Sequence, residues 1–499
     1  MSNGISFMDK PNEKSIAIGD LRITPYTLER VLDARVEQRI NEHATLYVKG
    51  LLSETPGDSY AEIPTEGKTV SLSFADASGI EYMLFQGIID RVRIQAHRNT
   101  YHIEIHANSY SALLDVKKKS RSFQDKGESY IAMAQQIVNA YPSGGILDKT
   151  TASTAKNKFI MQHMETDWEF LIRMASHFNT GIVCNPHYDA PNLYFGIPKT
   201  QKLTLDISSY SVEKDLKQYK VLSENGVAGL SERDIMRYEV ETERVAGIGT
   251  EITLGHTPLY VSAITSFISG GLLVNQLVLM PENGLSQAYI PHKEVVGASY
   301  SGHIAEIRND QVQVTLETDE GHDPGSPCWF QYSTLYSSSD GSGFYCMPEM
   351  GDTVRVYFPD GEDDHAYAIS SVHEQVDPEA MQKSGSSSSS CSGFTGDYSG
   401  LRDDPNVKSL KNKDGKEIRL TPEGIYLIAD GAVVTLTDDD GVTILCDNDI
   451  TLKSEKNIIM SAVEDVCIVG VEEVGISSES AAIVMTDDVE IVGQEVKAN

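Results

Sequence analysis

Cysteine is scarce in this chain: six residues in 499, Cys184, Cys328, Cys346, Cys391, Cys446 and Cys467, with no CxxC pair. That spacing argues against a cysteine-built zinc site and a disulfide scaffold, and it suits a reducing compartment. Long apolar runs are missing too. The most apolar stretch, GGLLVNQLVLM, is short and carries Asn and Gln, so no transmembrane helix is expected. The N-terminal MSNGISFMDKPNEKS has neither a basic head nor an apolar core, so the expectation is no signal peptide and folding in the cytosol. Positive charge is in short supply, with 41 Lys and Arg against 73 Asp and Glu and a formal net charge of −32. Such a chain is poorly suited to nucleic acid or to anionic lipid, and solubility is the plainest use of the charge.

What is present is a globular composition, 40% hydrophobic and 8% aromatic, in a chain too long for one ordinary core. Over the first 290 residues or so, strand-like runs such as KTVSLSFAD, YHIEIHA and GIVCN alternate with a few helices. SYIAMAQQIVNAY puts Ile131, Ala134 and Val138 on one helical face. ETDWEFLIRMASHF opens on a capping box, Thr166 to Glu169, and places Trp168, Leu171, Ile172 and Ala175 on one line with Phe170, Met174 and Phe178 on a second. Both read as core helices. From 295 to 375 the texture changes to five short β-runs with Gly and Asp turns, GHIAEIRND, QVQVTLETD, CWFQYST, GDTVRVYFPDG and HAYAISSV, the pattern of a small Greek-key barrel. Residues 376–412 are polar, Ser-rich and without periodicity, hence a linker or exposed loop.

After Lys413 the chain counts in eights. One column reads Ile418, Tyr426, Val434, Val442, Ile450, Ile458, Val466 and Val474, and fails at Ala482 and Glu490. Two residues on, Leu420, Ile428, Leu436, Ile444, Leu452, Met460, Ile468, Ile476, Val484 and Val492 run unbroken. Residues i and i+2 of a strand share a face, so each octad supplies a short strand with two inward apolar side chains and then a polar turn. Such repeats must stack to bury those faces. Either one chain coils as a solenoid, or three chains each supply a wall of a prism with the columns meeting on the axis. Nearly non-aromatic columns imply a narrow axis, and an exterior with 19 acidic against 6 basic residues from Lys413 onward is well solvated; both favour the trimer. A closed prism is a stiff rod with no long open edge.

The stretch CWFQYSTLYSSSDGSGFYCMPEMGDTVRVYFPDGEDDHAYAISSV resembles the oligonucleotide/oligosaccharide-binding (OB)-type barrel of VgrG spike proteins and of contractile-phage hub-and-needle proteins. The resemblance rests on Met347, Pro348, Glu349, Gly351, Asp352, Val354, Val356 and Phe358, and RINEHATLYVKG and METDWEFLIRMA are similar to the hub of that family. It implies a mainly β fold with a minority of helix: an α+β hub of β-barrel-like subdomains (1–290), the barrel (295–375), the linker (376–412) and a three-stranded intertwined β-helical needle (413–499). It also implies a homotrimeric spike at the tip of a contractile injection machine. The hub would sit on a hexameric inner-tube protein among baseplate wedge proteins. A PAAR-type tip protein would cap the needle where the first column fails, or the failure is simple fraying of a terminus. The target membrane would be met only by mechanical puncture, from a particle assembled in the cytoplasm.

Some members of that family carry an enzyme. Here the linker is too short for a lysozyme-like domain, and the chain stops within the octads. GIGTEI has Ile252 where a third glycine belongs. VHEQVD, at His373 and Glu374, lacks a second histidine, and no G-x-S-x-G occurs. Glu362, Asp363 and Asp364 read as a solvated turn, and the basic run Lys117, Lys118, Lys119 and Arg121 as a solvated segment or a contact to an acidic tube or wedge subunit. The expectation is no catalysis, no cofactor and no metal. The alternatives are a monomeric β-solenoid binding module and a cryptic peptidoglycan-degrading activity.

Overall fold

The computed structural model describes residues 15–52, 68–75, 80–98, 100–199, 201–335, 338, 346–370, 406–412, 414–472, 474–477 and 482–485. The chain divides into two compact units, 1–374 and 375–499.

Alternation of apolar and polar residues builds the first unit. In Thr100–Ser109, Ile103, Ile105 and Ala107 are buried while Glu104 and His106 face the other way. KTVSLSFAD, YHIEIHA and GIVCN all contribute strands, as their patterns predict. Twelve strands form one antiparallel-dominated sheet from two stretches of chain. Leu21–Thr24, Thr69–Ala75, Glu81–His97, Thr100–Ser109, Thr45–Leu52 and Leu28–Arg39 lie side by side in that order. Thr257–Ser269, Leu272–Met280, Met236–Thr242 and Ser211–Lys214 continue the sheet. The two halves join where Arg35–Arg39 pairs with Ala263–Phe267. Each half has its own core, one around Phe85, Ile103 and Leu46, the other around Ile252, Val261 and Leu277. Bulges, as between Ile89 and Arg91, curl the long strands.

The helices Tyr130–Asn139 and Asp167–Ser176 cover the first core. Ser129 caps the former, and the expected reciprocal box between Thr166 and Glu169 caps the latter. Trp168, Phe170, Leu171, Met174 and Ala175 are all buried, so the second helix is covered on two sides as its two apolar lines predict.

The five barrel runs form the strands Ser299–Arg308, Gln311–Leu316, Trp329–Gln331, Thr353–Tyr357 and Tyr367–Ile369. Trp329–Gln331 and Tyr367–Ile369 are the outer strands of this sheet, and a bridge from Tyr332 to Ala368 draws them together, curling the sheet into a barrel. Phe159 and Met161, from the first 290 residues, sit inside the barrel core with Val314, Phe330, Val356 and Phe358. The change of sequence texture near 290 therefore does not separate two cores.

In the second unit, Lys408–Lys411, Glu417–Thr421, Gly424–Ala429, Ala432–Thr437 and Gly441–Cys446 form an antiparallel meander. The single chain turns back on itself here rather than coiling. Asp430–Gly431, with Gly431 at φ 70°, is a two-residue hairpin turn between Ala429 and Ala432, and Asp-Gly is a strong local signal for such a turn. Residues 447–472 form no strand, and Val474–Ser477 pairs with Ala482–Met485 in a final hairpin. The serine-rich stretch 376–405 lies outside the described residues.

Candidate functional site

Met347, Pro348, Glu349, Gly351 and Asp352 build a turn. Met347 packs against the barrel core and Pro348 is buried. The Glu349 backbone N–H donates to Asp352 Oδ2 at 2.8 Å, and the Asp352 N–H donates back to the Glu349 carbonyl at 3.1 Å. Gly351 adopts φ 91°, a region closed to most side chains. Its N–H donates to Ile304 O, and Ile304 N–H donates to Asp352 O, beside the bulge between Ile304 and Glu306. The motif thus launches the strand carrying Val354 and Val356, and the Glu349 carboxylate is exposed.

The octad columns form a bare apolar face. Val434 stands opposite Ile444 and Leu436 opposite Val442, as the count of eight requires. One hairpin earlier the register departs from that count: Ile418 stands opposite Leu427 and Leu420 opposite Ile425. Tyr426 and Ile428 consequently lie on the reverse face, with Glu417, Arg419, Val433 and Thr435. That reverse face is covered: Val433, Thr435, Glu417 and Arg419 are buried, and Arg419 Nε and Nη2 clasp the two Glu417 carboxylate oxygens at 2.8 and 2.9 Å. The column face is open. Ile418, Leu420, Ile425, Leu427, Leu436, Val442 and Ile444 are exposed and Val434 is half-buried. Further along, Ile450, Leu452, Ile458, Met460, Val466 and Ile468 are 51–68% exposed. In the last hairpin Ile476 pairs with Ile483 and Val474 with Met485, while Val484 stands opposite Gly475. Val492 lies outside the described residues.

In the acidic trio after the barrel strand Glu362 and Asp364 are exposed, as a solvated turn requires, but Asp363 is not. Asp363 is buried at the contact with the first 290 residues, where Arg173 Nη1 reaches its Oδ2 at 3.3 Å and His292 Nδ1 its Oδ1 at 2.6 Å. Met161 N–H also donates to Asp363, at 3.3 Å. Burial pushes the Asp363 carboxyl up, but the His292 hydrogen bond and the Arg173 charge outweigh it and leave it below the ordinary carboxylate value. Arg173 grips both oxygens of Glu165 at 2.7 and 2.8 Å and donates to Met161 O at 2.6 Å. Asp364 accepts from Lys126 Nζ and from the Phe159 N–H, and Glu362 accepts from Tyr289 Oη. The turn reads as solvated in sequence because its partners lie far away in the chain. A visible signal was Arg173 itself, a charge beside Met174 on the Phe170 side of a core helix.

The basic run is likewise divided. Lys117 and Lys118 are exposed, whereas Lys119 and Arg121 bind the fully buried Asp167 at 2.6 and 2.7 Å. The glycines of GIGTEI form a tight turn, since a Cβ on Gly249 would meet Pro198 O at 2.8 Å, and Ile252 is core. His373 and Glu374 lie outside the described residues. Among the described residues no group of three or more His, Cys, Asp or Glu could hold a metal ion, and no helix is long and apolar enough to cross a membrane.

The model of the type VI secretion system/phage-baseplate injector OB domain matches residues 300–373, the span of the five barrel strands. A second model, of the Alg8 N-terminal domain, matches residues 60–194. The Escherichia coli c3393 protein, described as a component of the type VI secretion system similar in structure to the T4 bacteriophage tail proteins gp27 and gp5, superposes with a TM-score of 0.51 at 13% identity. The match covers 70% of this chain and 98% of that one. The fold is that of a VgrG-type spike. A lidded Francisella PdpA-VgrG complex gives a TM-score of 0.51 at 9% identity, covering 85% of this chain and 79% of that one. No curated protein matches in sequence. The hub of this spike fold is thus the twelve-stranded sheet with its helices, the OB barrel follows it, and the octads come last.

Proposed function

We propose that three copies of the chain form the central hub and puncturing needle of a contractile injection system. The observation that carries this reading is the bare octad face: a row of Ile, Val and Leu runs from Ile418 to Ile468 with most of its members exposed in the single chain. Soluble proteins rarely leave a contiguous apolar surface of that size uncovered. Three copies packed column to column about a common axis would bury it, and the acidic residues would stay outside in water. On this reading the rod needs stiffness and solubility rather than affinity for lipid, because sheath contraction drives it through the target envelope. The hub would rest on the hexameric inner-tube protein among wedge proteins, and a PAAR-type protein or effector would ride at the needle end. Assembly would take place in the cytoplasm and action at the tip of the particle. The chain's own role would be mechanical and non-enzymatic, and purified protein should release no soluble fragments from peptidoglycan.

Native mass by light scattering tests the assembly, alongside a truncation ending near Asn412. Three chains for the full protein, with weakened association on truncation, is the expected result; a monomeric full-length protein would overturn it.

A further inference from the structure

Where the chain passes from hub to barrel, four ionisable side chains meet out of water. Glu165 ends a hub strand, Arg173 lies on the hub helix, His292 sits in the connector, and Asp363 lies on the barrel turn. Their side chains are 14%, 4%, 3% and 3% exposed, so the charges must balance among themselves. With a neutral imidazole they do not: two carboxylates face one guanidinium. His292 Nδ1, 2.6 Å from Asp363 Oδ1, donates to it. In a neutral ring the other nitrogen, Nε2, then carries a lone pair. That atom is buried without a hydrogen-bond partner and lies 3.7 Å from Glu165 Oε2. A lone pair aimed at a carboxylate oxygen is repulsive, whereas an N–H there is attractive and completes the balance at two charges of each sign.

We infer that His292 is held as the imidazolium, so that a proton locks the barrel onto the hub and its loss loosens this joint. The other titratable and charged groups around the ring are few. His163, on the Glu165 strand, has its ring 6.1 Å from that of His292 and is hydrogen-bonded to Tyr300 on the first barrel strand. His177 closes the Arg173 helix and bonds Tyr130 Oη at 2.9 Å. Lys293 and Glu294 follow His292 in the connector, and Glu362 and Asp364 flank Asp363 with partners of their own. Burial pushes His163 and His177 down, and His292 is the ring placed between the two carboxylates, with Nδ1 on Asp363 and Nε2 toward Glu165. The sign follows: the joint is firm when His292 is charged and weakens as pH rises and the proton leaves.

The test is hydrogen–deuterium exchange on the full-length protein at about pH 6 and about pH 9, on either side of histidine's usual range, corrected for intrinsic exchange. The readout is peptides spanning 159–166 and 361–369. In the wild type these should open about ten-fold more readily at the higher pH, about 1.4 kcal/mol of opening free energy. His292→Gln should abolish that response. Glu165→Gln should abolish it too, because Arg173 and Asp363 then balance without the proton. Equal pH responses in wild type and either folded variant would overturn the inference. If neither variant folds, a wild-type joint whose opening does not change with pH would overturn it. Peptides from 417–446 serve as the control, and the outcome does not depend on whether three chains assemble.

Discussion

Arg173 shows how one side chain can hold two domains. Its side chain binds one hub strand, at both Glu165 oxygens and the Met161 carbonyl, and the Asp363 carboxylate on the barrel turn. Arg173→Met keeps the volume but strands two buried carboxylates. It should cost about 3–5 kcal/mol in denaturant unfolding of the first unit, the usual loss when one partner of a buried pair is removed. Lys117→Ala, at an exposed position of the basic run, should fall within about 0.5 kcal/mol of wild type in the same assay. His177 gives a second residue-level expectation. Burial lowers it to about 3, so the folded chain keeps it neutral where an unfolded chain would protonate it. The stability it contributes is complete above the unfolded histidine value of about 6.5 and is lost as pH falls from there toward 3. His177→Asn should therefore show a shallower acid-side decline in thermal midpoint over that range.

At the scale of elements, local rules held wherever neighbours in sequence were also neighbours in space. The capping box at Thr166, the two apolar lines of the Asp167–Ser176 helix and all five barrel strands follow from caps and periodicity. The octads show the limit. Two inward residues in every eight were legible, but the register of the first hairpin was not. Counting places Tyr426 and Ile428 in the columns, whereas pairing puts Ile425 and Leu427 there. The turn that decides this, Thr421 to Gly424, shifts the pairing by one residue, which exchanges the faces of a strand. Leu427→Asp should therefore weaken assembly as much as Ile458→Asp or Ile468→Asp, read as loss of native mass from three chains towards one. Unchanged mass for Leu427→Asp would mean that the strict count governs the assembled needle; unchanged mass for all three would sink the octad argument.

At the scale of the molecule, the twelve-stranded sheet is assembled from two stretches whose strands pair through Arg35–Arg39 and Ala263–Phe267, with a further bridge from Ala17 to Leu272. No repeat in the sequence announces these two half-sheets, because strand order depends on pairing partners and not on composition. The serine-rich stretch is the opposite case, legible as composition and without any packing role in its pattern. Deleting residues 385–400 should leave native mass and thermal midpoint unchanged, and a drop in either would show that the segment takes part in assembly.

The sequence by itself determined the order of parts: alternating strands and two capped helices, five short barrel strands, a polar stretch, then paired apolar residues every eight positions. Each of these is a local signal, set by side-chain periodicity and turn chemistry over a few residues. Tertiary structure alone decided that hub and barrel share a core, that Asp363 is buried against Arg173 and His292, and that Ile425 and Leu427 rather than Tyr426 and Ile428 join Ile418, Leu420 and Leu436 on the exposed face. Those outcomes rest on contacts between residues distant in the chain, 190 positions apart for Arg173 and Asp363 and 202 for Met161 and Asp363. A buried carboxylate reads like a solvated one until the fold supplies its partners.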